Sequence, residues 1–171
     1  MKKSIFIIAV AAIAVSCGNK QSAPQAESDS TVVATDSVAQ VDSQAEKQSE
    51  IDAVVTEKIK EFYKLYVFGN EEATDEVINQ YCTKKLAKKL ADDYEYEGGG
   101  YAIWDFRSGN QDGDSDVQTA EKIEPIGDGK YKVYYNDMGT KGTCIISVIV
   151  KTEDLKFVDA EDVLFDDISS K

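Results

Sequence analysis

The densest run of hard oxygen ligands in the chain is Asn110-Gln111-Asp112-Gly113-Asp114-Ser115-Asp116, with Glu121 a short way on. Laid against a calcium loop, Asn110, Asp112 and Asp114 fall at the first, third and fifth positions. Val117 takes the apolar eighth position, and Glu121 takes the twelfth, where a bidentate acid belongs. Asp116 adds a further carboxylate. Two residues depart from the pattern: Asn110 stands where Asp is usual, and Ser115 stands where the sharp turn wants Gly. Neither flank reads as a helix, which excludes an EF-hand. Two readings remain. One is a stand-alone calcium loop of Asn110, Asp112, Asp114, Asp116 and Glu121. The other is an acidic, solvated turn leading into a strand, with Glu121 paired to a lysine on a neighbouring strand.

A second constellation centres on Asp105, between Trp104 and Phe106. Apolar surroundings raise a carboxyl pKa, and a tyrosine hydroxyl nearby can donate to a developing oxyanion. That is the apparatus of an isomerase or dehydratase, with Asp105 as base. Tyr63, Tyr66, Tyr134 and Tyr135 are candidate donors, and Tyr63, Tyr66, Trp104 and Asp105 form a candidate pocket. The competing reading makes the tyrosines core and rim residues and Asp105 a turn cap. The chain has no histidine. It therefore lacks the usual base near neutral pH, the commonest metal ligand and every Ser-His or Cys-His nucleophile. No residue is singled out as catalytic, and the only cofactor in prospect is calcium. The formal charge of −13 repels phosphate backbones and excludes nucleic acid as a partner. Lys84, Lys85, Lys88 and Lys89 form one basic cluster, read as a solvated helix face offset by Asp92 and Asp93.

Three cysteines have separate prospects. Cys17 follows Lys2, Lys3, the apolar run Ile5–Val15 and Ser16. The run is too short to span a bilayer, so it reads as the core of a signal peptide. Ala14-Val15-Ser16-Cys17 resembles a relaxed lipobox, in which Cys17 is cleaved free and acylated with palmitate-like chains. Two or three such chains give stable anchoring. Gly18, with no Asp beside the cysteine, directs the expectation to the outer membrane. The lack of an acidic run there favours the periplasmic side of the cell envelope. Cys82 and Cys144 are then left as an even pair in an oxidising compartment, either bridged or buried as two thiols.

The elements that would position these groups begin after a tether. Residues 17–48 are rich in Ser, Ala, Gln, Thr, Asp and Glu with scattered valines, a composition that predicts a flexible linker. Such a linker of about thirty residues reaches roughly 30 Å. Residues 49–171 form the folded domain. Ser49-Glu50-Ile51-Asp52 fits a capping box, and Ile51, Val55, Ile59, Phe62 and Tyr66 then mark one helix face ending near Gly69-Asn70. Thr74 and Thr83 can cap two shorter helices, the second with Leu86 and Leu90 inward. Gly98-Gly99-Gly100 closes the helical half. Strands are predicted over Val117–Ile126, Tyr131–Asn136, Thr143–Lys151 and Leu155–Phe165. Turns fall at Gly127-Asp128-Gly129 and Gly139-Thr140-Lys141-Gly142, and Cys144, Ile146, Val148 and Val150 share a face. Helices first and an antiparallel meander after make an α+β domain, with the helices on one sheet face.

Phe62-Tyr63-x-x-Tyr66, Tyr81-Cys82-Thr83-Lys84-Lys85-Leu86, Trp104-Asp105-Phe106 and Gln111-Asp112 resemble the cone-shaped, nuclear-transport-factor-two-like (cystatin-like) superfamily. Over residues 50–168 the chain is most similar to a "domain of unknown function" branch found in exported bacterial lipoproteins. The resemblance implies a curved antiparallel sheet wrapped on helices around a pocket. Some members are isomerases or dehydratases, and many only bind. The expectation is a lipid-anchored, non-catalytic module that binds a small molecule or an envelope protein. The alternatives are the Asp105 pocket enzyme and a calcium-stabilised envelope module.

Overall fold

A computed structural model of the chain describes residues 37–107, 113–151 and 157–170. The signal segment of residues 1–16, Cys17 and the tether as far as residue 36 lie outside the described residues. Four helical stretches precede a four-stranded antiparallel sheet, an α+β architecture. Helix α1 spans Ser37–Phe62 and runs on into a single π-helical turn, Tyr63–Val67. Helix α2 spans Asp75–Tyr81, α3 spans Lys84–Asp92, and a 3-10 turn spans Ile103–Phe106. Strands β1 (Gln118–Pro125), β2 (Lys130–Asp137), β3 (Thr140–Val150) and β4 (Val163–Ser170) pair in sequence order.

Helix α1 starts at Ser37, well before the expected capping box at Ser49. The end of the predicted tether, Ser37–Gln48, is helical. Residues 44–50 are exposed, so they carry no apolar periodicity. They are rich in Gln, Ala, Glu and Lys, good helix formers that extend a helix already nucleated by its packed half. Asp52 therefore caps nothing. It accepts from Gln48 Nε2 at 2.9 Å one turn back and from the Tyr131 hydroxyl at 2.6 Å, which ties α1 to β2.

The face of Ile51, Val55, Ile59 and Phe62 is buried as its spacing requires. Beyond Phe62 the π turn changes the phase. The Phe68 amide donates to the Tyr63 carbonyl at 2.9 Å, five residues back, and the extra residue turns Tyr63 and Val67 fully inward while Tyr66 is left half-buried. Phe62 sits at the centre of the resulting aromatic core. Its ring centroid lies 4.9 Å from Phe106, 5.0 Å from Tyr81 and 5.3 Å from Phe165. Thr74 and Thr83 cap α2 and α3, accepting from the Val77 and Leu86 amides at 3.4 and 3.3 Å.

In β2, Tyr131, Val133, Tyr135 and Asp137 alternate inward, and Cys144 and Ile146 of β3 join them. Val148 and Val150 pack at the edge of the same core. The β2–β3 connection is tighter than expected. Asp137 pairs with Thr140, and Met138 and Gly139, with φ of 54° and 95°, alone make the turn. Gly142, expected in the turn, lies within β3. A Cβ there would come 2.5 Å from the Tyr135 ring, so its glycine makes room for that ring. The last strand is also displaced. Leu155 and Lys156 of the predicted strand lie outside the described residues, and Phe157 is 83% exposed. Asp159–Asp162 form a 3-10 turn with reciprocal side-chain caps. Those local bonds compete with the ladder, so β4 begins only at Val163.

One buried charge joins the layers. Lys58 of α1 is 6% exposed. Its Nζ donates to the carbonyls of Ala160 and Val163, both at 2.6 Å, and of Gln80 at 2.9 Å, and it lies 5.0 Å from the centroid of Tyr81. Lys58→Met keeps the apolar stem and deletes the ammonium's bonds to all three carbonyls, of which Ala160 alone is shown to keep another donor, the Val163 amide. The expected loss is about 3 kcal/mol, read as a lower urea midpoint at unchanged m-value. A loss below about 1 kcal/mol would show that water replaces the ammonium at little cost.

Candidate functional site

Asp105 lies on the 3-10 turn that faces α3. Its carboxylate is 3.9 Å from Lys89 Nζ. Burial raises its pKa above the ordinary carboxyl value, Lys89 opposes that shift, and the neighbouring Asp93 adds to it. The tyrosines proposed as its partners are engaged elsewhere. The Tyr63 hydroxyl is buried and donates to the Phe106 carbonyl at 2.6 Å, and burial pushes its pKa well up. Tyr134 donates to Glu124 at 2.9 Å, beneath Lys122 and Lys132. Tyr135 is buried in β2, and burial raises its pKa as well. Tyr66 and Trp104 share a groove of about 390 Å³ with Ile103, Arg107 and Gln118, and Asp105 does not line it. The candidate pocket of Tyr63, Tyr66, Trp104 and Asp105 is thus divided between core, groove and helix face.

In the acidic loop, Asn110 and Asp112 lie outside the described residues. Asp114 and Asp116 are exposed. Glu121 is the extra residue of a β-bulge in β1, between the pairs Ala120–Tyr135 and Lys122–Tyr134, and it accepts from Lys141 of β3 at 3.3 Å. Among the described residues no group of three His, Cys, Asp or Glu side chains is close enough to hold a metal.

Cys82 and Cys144 are free thiols, a correction to the prospect of a bridge. Strand β4 separates them. Cys82 forms a parallel bridge to Phe165 on one side, and Cys144 pairs with Ser170 on the other. The two partners are separated by about 15 Å along the strand, at 3.2–3.4 Å per residue, whereas a disulfide needs Cα atoms within about 7 Å. Burial lifts the Cys82 thiol to about 12 and the Cys144 thiol to about 11.

The lysine cluster is exposed and locally neutralised. Lys88 pairs with Asp92, Lys89 with Asp93 at 3.8 Å, and Lys85 with Asp166 at 3.0 Å. Asp166 reaches Lys85 because it is the bulged residue of β4, skipped between the pairs Ser147–Asp167 and Val148–Phe165. A groove of about 540 Å³ opens beside Lys58, Glu61, Tyr81, Lys151 and Glu161. The Lys58 ammonium is already bound to its three carbonyls there.

An exposed aromatic cluster lies just past α3. Tyr94 stacks on Trp104, with centroids 5.4 Å apart and planes 27° apart. Tyr96 stands edge-on to both, at 5.5 and 6.4 Å. Tyr96 is 70% exposed and Trp104 38%. Gly100, at φ +146°, packs against Tyr94 so closely that a Cβ would come 2.6 Å from the ring. Glu95 and Glu97 flank Tyr96. Sequence reasoning named Trp104 and the glycine run separately and missed the cluster. Its signal is Tyr94-Glu95-Tyr96-Glu97, aromatic and acid alternating beyond a helix end where neither helix nor strand periodicity asks for apolar residues. Among the described residues no helix is long and apolar enough to cross a membrane. Comparison with protein-family models, with curated proteins and with solved structures returns no match.

The thiols give a pH test. Below pH 9, their ordinary value, both states hold the protons. Above it the unfolded chain releases them while the fold retains them up to about 11 and 12. Stability is therefore fully present below pH 9 and falls above it, by about 1.4 kcal/mol per pH unit for each thiol. Urea midpoints measured from pH 7 to 10 should show the fall, and a Cys82→Ala/Cys144→Ala chain should show a shallower one. Both thiols should resist alkylation in the native chain and react in urea without reductant. Thiols that stay blocked in urea would contradict the unbridged state.

Proposed function

We propose that this chain is an exported lipoprotein of the bacterial envelope whose folded domain binds a ligand or partner and does no chemistry. The Tyr94–Tyr96–Trp104 face is its contact surface, and its exposure is the observation that carries the reading. Three aromatic rings held together outside the core cost solvation free energy unless something covers them, and aromatic residues are what binding surfaces concentrate. The N-terminal pattern of Lys2, Lys3, an apolar core and Ser16-Cys17 supports cleavage and acylation at Cys17. Outer-membrane anchoring with the domain facing the periplasm follows from Gly18 and the lack of an acidic run. The α+β order, helices before a four-stranded antiparallel meander, supports membership of the nuclear-transport-factor-two-like (cystatin-like) cone superfamily, a scaffold that often serves as a binding module. The groups suited to catalysis are otherwise engaged: Asp105 faces Lys89, and Tyr63 donates to a backbone carbonyl.

Two measurements in cells test this. Labelled palmitate should enter the wild-type chain and not Cys17→Ala. A photo-crosslinking residue at position 96 should give a discrete adduct in intact cells. The same residue at Asp128, exposed on the β1–β2 turn, should give none. Labelling of Cys17→Ala would overturn the anchor. Equal adducts at both positions, or none at 96, would overturn the binding face.

A further inference from the structure

We propose that the Tyr94–Tyr96–Trp104 face takes a basic segment of a partner protein, with lysine or arginine side chains laid against the rings and paired to Glu95 and Glu97. The inference rests on the reading of this face as a contact surface and assigns it a chemistry.

The chain already sets ammonium groups over its own tyrosines. Lys58 lies over Tyr81 at 5.0 Å, and Lys132 and Lys122 lie over Tyr134 at 5.0 and 5.5 Å. Among the described residues, no ammonium lies over Tyr94, Tyr96 or Trp104. Their π faces are negative and attract a cation within about 6 Å of the ring centre, most strongly at Trp. The cluster therefore offers cation sites that no described ammonium of the chain fills.

The carboxylates point the same way. Lys89 serves both Asp93 and Asp105, at 3.8 and 3.9 Å, so two acids share one counter-charge. Among the described residues Glu95 and Glu97 have no ion-pair partner, and both are exposed beside Tyr96. Rings and unpaired acids alternate along one short stretch of chain, a spacing that suits successive basic side chains of an extended segment. The net charge of −13 adds a long-range field that draws cations and repels acidic partners. Anions and nucleic acids are disfavoured by the same field. A neutral sugar would use the rings and leave the carboxylate charge without purpose.

Trp104 is the only tryptophan in the chain, so its fluorescence reports on this face directly. The full chain in detergent micelles is titrated with an octa-arginine peptide, with an octa-glutamate peptide and with a neutral hexasaccharide. Saturable quenching by octa-arginine alone is expected. Glu95→Gln/Glu97→Gln should weaken it by about tenfold, and Tyr96→Ala by a similar factor, both at unchanged melting temperature because these side chains are exposed. Glu46→Gln/Glu50→Gln removes the same charge from the exposed far half of α1, roughly 20 Å or more along the helix from Tyr63, and should leave affinity within about twofold. Equal weakening by that control would mean that net charge alone draws the peptide, and would overturn the proposal. Quenching by the sugar and not by octa-arginine would overturn it too. An adduct at position 96 in cells alongside no octa-arginine binding would leave the contact surface standing and remove its assignment to a basic partner.

Discussion

A charged amine sealed beneath a helix must find oxygen atoms, and Lys58 finds three carbonyls from two separate parts of the chain. That requirement couples elements that sequence order keeps apart. Gln80 belongs to the end of α2, whereas Ala160 and Val163 mark the entry to β4. Satisfying one ammonium therefore fixes where α2 ends, where β4 begins and how deeply α1 lies on both. Failure is costly because an unpaired ammonium would cost several kcal/mol in a dry interior. Tyr81 adds its ring face to the same group. Lys58 is accordingly a polar pin through an apolar core, with Asp137 the other buried charged side chain among the described residues.

The aromatic core depends on that pin and on the π turn beside it. Phe62, Tyr81, Phe106 and Phe165 come from α1, α2, the 3-10 turn and β4, and they meet with centroids 4.9–6.4 Å apart. With Tyr63 turned inward by the extra π residue, its hydroxyl can reach the Phe106 carbonyl and hold the 3-10 turn against the core. The 3-10 turn in turn carries Trp104 on its outer side. The exposed face is thus positioned from within: Lys58 seats α1, the π turn seats Tyr63, Tyr63 seats the 3-10 turn, and Trp104 supplies the floor on which Tyr94 stacks.

Elements with a buried face were legible in the sequence. The spacing of Ile51, Val55, Ile59 and Phe62, the threonine caps and the alternation in β2 and β3 each record a boundary between core and water. Elements defined by something else were not. Ser37–Gln48 is helical by propensity and continuity, with residues 44–48 exposed, so its pattern looked like a linker. Gly142 looked like a turn residue because a glycine that yields space to a ring leaves the same mark in sequence as one that turns a chain. The late start of β4 depends on local caps between Asp159 and Asp162 and on carbonyls that Lys58 collects from about a hundred residues away, and those long-range contacts leave no local trace. The candidate site suffered likewise. Asp105 was chosen for its aromatic neighbours in sequence, yet Trp104 and Phe106 point to different places, one to the surface and one to the core.

The division of chemistry in the fold bears on what it can do. The groups with intrinsic reactivity are withdrawn. Both thiols are buried and held far above neutral pKa, the Tyr63 hydroxyl is sealed, and Asp105 looks onto a lysine. What the surface presents just past α3 is rings and carboxylates, groups that recognise charge and shape. Tyr94 keeps its place because Gly100 has no side chain to displace it, so a φ of +146° that other residues rarely adopt is spent on orienting a surface ring. A core gains little from that arrangement, since Tyr96 remains mostly in water. Conformational restriction directed at an exposed group, with the thiols and the Tyr63 hydroxyl kept inside, is what supports the proposal that this face is a contact surface.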